Sequence, residues 1–360
     1  MSMTLILVLL AVLFVAYTNG ANDNFKGVAT LFGSGTTDYK RALGWGTVTT
    51  LAGSITALFL SEQLVKTFTG AGLVPDTLVG SPRFVGAVAL GTASTVFLAT
   101  QLSYPISTTH ALTGSLIGAG LVMGGTVHFD VLGSKFFLPL LVSPLLGTAL
   151  ISILYPLLRR LRLLLRVGRE SCVLVEEQWV SASGTPGGAA SVAVAVQQER
   201  YLGTVLAIPA QQALDAAHYL SAGAVSFARG LNDTPKIVAL LMAAQVLSLR
   251  SGVALVGGVM AVGAILSARR VAEKMGKGIT EMNNGQGFAA NLVTSVLVLG
   301  ASRFGVPVST THVSCGALFG LGAVTGQVRW KVVASIVLAW VITLPVATVL
   351  SSAVAFVLTR

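Results

Sequence analysis

Two aspartates lie inside strongly apolar stretches of this chain, and each has the same escort. The first copy reads Gly20-Ala21-Asn22-Asp23 followed by Asn24-Phe25-Lys26, and the second Gly230-Leu231-Asn232-Asp233 followed by Thr234-Pro235-Lys236. Both fit G-x-N-D-x-x-K. Downstream of each stands another repeated string, Pro105-Ile106-Ser107-Thr108-Thr109-His110 and Pro307-Val308-Ser309-Thr310-Thr311-His312. A carboxylate deep in an apolar segment is costly unless it is paired or serves ions. Two of them with matching surroundings point to one functional unit, duplicated.

The surroundings are those of a membrane protein. Only 10% of the 360 residues are charged and 54% are hydrophobic, with a mean hydropathy of +0.82. Soluble domains carry about 25% charged residues. Apolar stretches of the length a bilayer requires recur along the chain, and two further ones, 106–124 and 308–326, are rich in Gly, Ser and Thr. The expected fold is all-α and polytopic, with about ten to twelve membrane segments, some broken or re-entrant, in a multi-pass protein of the cell membrane. The N-terminal apolar stretch lacks a basic start and a small-residue cleavage site, so it is expected to remain as a membrane helix.

The duplication has a register. Asn22 and Asn232 stand 210 positions apart and Thr109 and Thr311 stand 202 apart, a difference that the loop near 61–82 absorbs. Between the halves, residues 159–200 are basic and then rich in Gly, Ser and Pro, the composition of a flexible linker. The chain therefore divides into a first repeat, 1–158, a cytoplasmic linker, 159–200, and a second repeat, 201–360. Arg269, Arg270, Lys274 and Lys277 occupy the second-repeat loop whose first-repeat counterpart holds only Lys66, balanced by Glu62 and Asp76. Basic loops face the cytoplasm, so equivalent loops lie on opposite sides and the repeat is inverted.

The net charge of +10 is not a nucleic-acid footprint. Its densest cluster, Arg159, Arg160, Arg162, Arg166 and Arg169, directly follows a hydrophobic span, where cytoplasmic flanking charge belongs. Cys172 and Cys315 are isolated and form no metal or redox spacing. No nucleotide-binding loop and no zinc motif is present, and no nucleophile is paired with a base, so neither ATP-driven transport nor catalysis is expected. The partners are a small anion and the lipid bilayer; a homodimer is compatible with the sequence.

The chemistry follows from residue types. Gly20, Gly230 and Pro235 weaken the helix around each Asn-Asp pair, which frees backbone carbonyls in a buried place. Such carbonyls, with the Asn22 and Asn232 amides and the Asp23 and Asp233 carboxylates, make a hard oxygen site for Na⁺; the same carboxylates can instead carry H⁺. Glu281, Gln286 and Asn291 are further candidates for the coupling ion. Asp215, His218 and Arg229 either complete ion sites or satisfy one another between helices. In the other motif, proline starts a helix whose first turn offers hydroxyls and free amides beside a positive helix end. Ser107, Thr108, Thr109, Ser309, Thr310 and Thr311 thus form two halves of an oxyanion cradle, with Asn22, Asn232, Lys26 and Lys236 in reach of the anion. The lysines alternatively pair with the aspartates three residues earlier. His110 and His312 are read as structural partners. No tightly bound cofactor is expected.

At these motifs the sequence resembles the inorganic phosphate transporter family of sodium- or proton-coupled permeases. The resemblance rests on both N-D copies, both P-[IV]-S-T-T-H strings, and Ile279-Thr280-Glu281-Met282 with Gly287-Phe288. It implies a symporter that imports inorganic phosphate with Na⁺ or H⁺ by alternating access, using a site between inverted repeats. Many relatives continue G-A-N-D with V-A-N-A, carry His where Arg229 stands, and carry Glu in place of Asn291. These departures change charge near the site, and a sulfate or other oxyanion symporter is the alternative; an anion channel fits the mirrored cradles less well.

Overall fold

The computed structural model describes every residue except Met1, Ser61, Ala71, Gly125, residues 182–188 and Pro307. The first half supplies α1 (Met3–Asp23), α2 (Tyr39–Leu60), α3 (Pro82–Gln101), α4 (Thr108–Gly124) and α5 (Leu138–Leu164). The second supplies α6 (Ala210–Ala243), α7 (Leu249–Ser267), α8 (Asn284–Arg303), α9 (Thr310–Thr325) and α10 (Trp330–Thr359). Among the described residues, seven helices are long and apolar enough to cross a membrane; α4, α6 and α9 are not among them. At 17 and 16 residues, α4 and α9 fall short of the roughly 20 a span needs. Each starts abruptly after buried, non-helical backbone that includes Ile106 or Val308. Helix α6 is 34 residues long but holds Asp215, Arg229, Asp233 and Lys236. The protein is an all-α, multi-pass membrane protein.

The two halves do not sit side by side. Helix α1 packs on α7, and α6 packs on α2; α10 covers α4, and α5 covers α9. Within each half α1 lies on α3 and α6 on α8. Exchanging the halves turns each of these pairings into another of the set, so the packing has an internal two-fold relation. The outer faces of α5 and α10 expose Leu141, Leu145, Ile153, Leu338 and Val341, as lipid contact requires.

Glycines make the swapped pairs possible. A Cβ at Gly20 would lie 1.9 Å from the Met260 carbonyl oxygen, and one at Gly230 would lie 2.1 Å from that of Thr50. Gly53 and Gly263 do the same against Phe227 and Tyr17. Only a residue without a side chain lets the backbones approach so closely.

Two expectations are corrected here. Unwinding at the Asn-Asp pairs occurs in the first copy only, where α1 gives way to a 3₁₀ turn, Asn24–Gly27. In the second, α6 continues through Gly230 and Pro235. Every residue from Ala228 to Leu241 is buried, so packing overrides the local weakness, and Gly230 serves helix contact instead. The stretch expected as a linker is also structured. Helix α5 extends to Leu164, and β1 (Gly168–Ser181) pairs antiparallel with β2 (Ala189–Leu202). The run Val192-Ala193-Val194-Ala195-Val196 alternates β-branched residues with small ones, a strand-favouring pattern that Gly and Ser content masked. Most of the Gly/Pro string, 182–188, lies outside the described residues.

Candidate functional site

The polar residues of the four motifs meet in one buried cluster where α1, α6 and the starts of α4 and α9 converge. Asp23, Lys26, Arg229, Asp233 and Lys236 are each at most 4% exposed. Isolated charges could not survive there; these are paired. Lys26 Nζ pairs with Asp23 Oδ1, and Lys236 Nζ lies 3.2 Å from Asp233 Oδ1. Both are three residues apart on one helical turn, the spacing that brings side chains together.

Each lysine also reaches across to the other repeat. Lys26 Nζ donates to Thr311 Oγ1 at 2.7 Å, and Lys236 Nζ donates to Thr109 Oγ1 at 2.9 Å. Each donates further to the backbone carbonyl just before its own Ser-Thr-Thr string, Ile106 at 2.7 Å and Val308 at 3.0 Å. Lys26 takes a fourth oxygen, Asn22 Oδ1, at 2.9 Å. Thr311 Oγ1 donates in turn to Ile106 O at 2.9 Å, so the two helix starts touch.

The Asn-Asp pairs position these groups. Asn22 Nδ2 donates to Thr100 Oγ1 at 2.9 Å and to Tyr104 O at 3.0 Å, and its Oδ1 accepts from Ile106 N at 3.2 Å. Asn232 Nδ2 donates to Val308 O at 3.2 Å and to Asp233 Oδ1 at 3.1 Å. Asn232 thereby fastens its half-helix entry to the carboxylate beside it, whereas Asn22 is joined to Asp23 through Lys26, which donates to both. Thr108 Oγ1 donates to Asp23 Oδ2 at 2.8 Å.

The serines have another task. Ser107 Oγ accepts from His110 N and Ser309 Oγ from His312 N, both at 3.2 Å, which makes them helix caps. The amides of Thr108, Thr109, Thr310 and Thr311 precede the first intrahelical bonds and have no acceptor within their helices. Two positive helix ends are thus presented to one place. Pro105 O accepts from Trp340 Nε1 at 3.0 Å; Pro307, its counterpart, lies outside the described residues. His110 and His312 stack edge-to-face with ring centres 4.6 Å apart, and His312 Nδ1 lies 3.1 Å from Leu140 O.

Arg229 completes the cluster. Its guanidinium donates to Asn19 Oδ1 at 2.8 Å, Asn24 Oδ1 at 2.9 Å and Thr50 Oγ1 at 3.2 Å, and Nε lies 3.8 Å from Asp233 Oδ2. No motif marks Asn19 in the sequence. Its amide donates to Asp23 Oδ2 at 2.8 Å and lies 3.5 Å from Asp233 Oδ2, bridging the two acids. A signal existed: shifted by the repeat register, Asn19 falls on Arg229. Thr100, likewise outside any motif, falls on Ser302, whose Oγ lies 3.5 Å from Asn232 Oδ1.

Three candidates stand apart. Glu281 is exposed and pairs with Arg329 at 3.0 Å. Gln286 closes a capping box with Asn283 and donates to Tyr155 Oη at 3.2 Å. Asn291 is buried but donates to Thr30 Oγ1 at 2.8 Å, beside His218 Nε2, itself 3.0 Å from that hydroxyl. Asp215 accepts from Gln211 and Asn284. These groups satisfy one another between helices. Gln286 and Glu281 line a cavity of about 830 Å³ with Arg159, Arg162, Arg169 and Tyr201, and neither Asp23 nor Asp233 belongs to that lining. Burial pushes the Tyr201 phenol up to about 12, so it stays a donor, to Asn283 Oδ1 at 3.0 Å.

The family model that matches residues 19–351 is that of the phosphate transporter family. The chain belongs to this family. As a phosphate transporter family member it is a transport protein and not an enzyme. It is 25% identical to a candidate phosphate permease of Pyrococcus furiosus, over 94% of this chain and 92% of that one. It is 28% identical to a chloroplast inorganic phosphate transporter of Arabidopsis thaliana, over 96% of this chain and 71% of that one. A solved structure titled "The sodium-dependent phosphate transporter" superposes with a TM-score of 0.78 at 19% identity, covering 99% of both chains. That likeness is one of fold.

Proposed function

We propose that this family member is a secondary transporter that imports inorganic phosphate by alternating access, driven by a cation gradient of Na⁺ or H⁺. The observation that carries the reading is the reciprocal clasp. Lysine of each repeat holds the first-turn threonine of the other, and the two helix N-termini meet among buried charges. Paired helix starts with free amides suit a tetrahedral oxyanion. A site shared between two-fold-related repeats opens to one side when they rock one way and to the other when they rock back, which is alternating access in an inverted repeat. The cluster is buried throughout, the arrangement of an occluded carrier and not of an open pore.

In this reading Thr108, Thr109, Thr310 and Thr311 receive the anion through amides and hydroxyls, released from their present bonds as the repeats part. Ser107 and Ser309 hold the helix starts in place. Asp23 and Asp233, with Asn22 and Asn232, keep the cationic side chains oriented. Arg229 supplies the charge that the two aspartates do not cancel.

The test is uptake of labelled phosphate into proteoliposomes with an imposed pH or Na⁺ gradient, with sulfate as competitor. Saturable, gradient-driven phosphate uptake that excess sulfate leaves largely intact supports the reading. Preferential sulfate uptake would assign the other anion, and uptake that ignores every gradient would sink cation coupling.

A further inference from the structure

Lys26 and Lys236 have almost the same polar surroundings, all of them oxygens; Lys236 Nζ stands in addition 5.6 Å from the centre of the Phe68 ring. Each Nζ faces the aspartate three residues upstream, the backbone carbonyl that precedes its own Ser-Thr-Thr string, and the second threonine of the opposite string. Lys26 adds the Asn22 amide oxygen. Carboxylate, carbonyl, amide and hydroxyl oxygens are the ligands that hard cations take when they leave water. An ammonium carries the same single charge as an alkali ion and donates three hydrogens in place of a coordination shell. The three or four oxygens around each Nζ use that capacity fully.

The charge count agrees. Asp23 and Lys26 cancel, Asp233 and Lys236 cancel, and Arg229 is left as the one unbalanced charge of the buried cluster. A monoanion balances it with no further cation. A Na⁺ brought to either carboxylate would meet an ammonium already bonded to the same oxygens, and at that separation in a buried place two like charges repel strongly.

We propose that Lys26 and Lys236 are the resident cations of this site: their ammonium groups fill the oxygen-lined positions that a coupling Na⁺ would need, so transport by this chain does not depend on Na⁺. The inference rests on the phosphate-carrier reading for its substrate and narrows it, removing Na⁺ from the two carboxylates. It also reassigns the lysines: they hold the carboxylates and the opposite threonines, and Arg229 is left as the cation that the anion meets.

Two measurements decide it. In proteoliposomes of the full chain under a fixed pH gradient, replacing external Na⁺ by choline should change the phosphate uptake rate by less than about twofold; a loss of about tenfold or more would overturn the inference. The second arm needs no transport. The melting temperature of the detergent-purified protein should be the same in Na⁺ and in K⁺, whereas Na⁺ should raise that of the double variant Lys26→Asn, Lys236→Asn, whose oxygen sites are vacated. A Na⁺-specific rise in the wild type would overturn the inference. If no buffer supports phosphate uptake, the carrier reading fails, and the melting comparison still decides whether Na⁺ has a place here.

Discussion

Arg229 donates a 2.8 Å hydrogen bond to the side-chain oxygen of Asn19, and the two residues are each other's counterparts in the repeats. Each stands four residues before the aspartate of its own copy. The contact sits where the internal two-fold relation must be broken, because two arginines facing each other there would repel and two asparagines would leave the cluster without net charge. One repeat supplies the cation and the other its acceptor.

Replacing Arg229 by Asn makes the repeats alike and leaves the buried cluster formally neutral. Removing one partner of a buried ionic network costs about 3–5 kcal/mol. The expected result is a drop in kcat/KM for phosphate of at least about tenfold, together with a lower Tm. Arg229→Lys should not restore activity, since one nitrogen cannot occupy both the position from which Nη1 holds Asn24 and Thr50 and the position from which Nη2 holds Asn19. Uptake kinetics of the two variants check this; near-wild-type transport by Arg229→Asn would contradict it.

Asp23→Asn and Asp233→Asn each strand a buried lysine. Uptake should fall to background in both, while size-exclusion profiles still show a folded protein, because the amide keeps the shape and part of the hydrogen bonding. Activity persisting in either variant would mean that the carboxylates serve packing alone.

The cross-repeat bonds can be probed with a cysteine the protein already has. Cys315 is buried and lies one helical turn beyond Thr311 on α9. Thr311→Val removes one of the four acceptors of Lys26 together with the bond to Ile106 O and, at about 1–1.5 kcal/mol for each lost bond, should favour parted repeats by at least about tenfold. In a Cys172→Ser background, maleimide should then label Cys315 about tenfold faster. An unchanged rate would show that the clasp does not hold the occluded state.

Glycine substitutions separate close packing from flexibility. Gly20→Ala and Gly230→Ala drive a methyl into the carbonyls of Met260 and Thr50, so a large fall in Tm is expected from each. Gly44→Ala and Gly258→Ala, where a Cβ meets nothing within 4 Å, should be neutral or slightly stabilising. Equal effects at all four sites would remove the glycines from the account of how the repeats interlock.

Much of this was legible in the sequence because the chain says it twice. The duplicated strings point to Asp23, Asp233, both lysines and both threonine pairs; the structure bonds the aspartates, the lysines, Thr108, Thr109 and Thr311 into one cluster and buries Thr310 at the start of α9. What the strings could not convey is which repeat each side chain bonds. That Lys26 reaches Thr311 and Lys236 reaches Thr109 depends on the swapped pairing of α1 with α7 and α2 with α6, a long-range relation that no local pattern encodes. Glu281 and Gln286 are polar residues near an apolar span; they lie at its mouth, where capping and a surface ion pair satisfy them. Asn19 escaped because a lone asparagine in an apolar helix matches no motif until it is aligned with Arg229. The hairpin escaped for the opposite reason, a strand alternation hidden between two loop-like stretches.

In the proposed cycle one occluded site, shared by the two repeats, carries the anion across. Counterflow tests it most directly. Proteoliposomes loaded with unlabelled phosphate and diluted into a trace of labelled phosphate, without any ion gradient, should accumulate label transiently above its external concentration, and Asp23→Asn should abolish the overshoot. Label that only equilibrates, at a rate linear in concentration, would identify a pore and contradict the account.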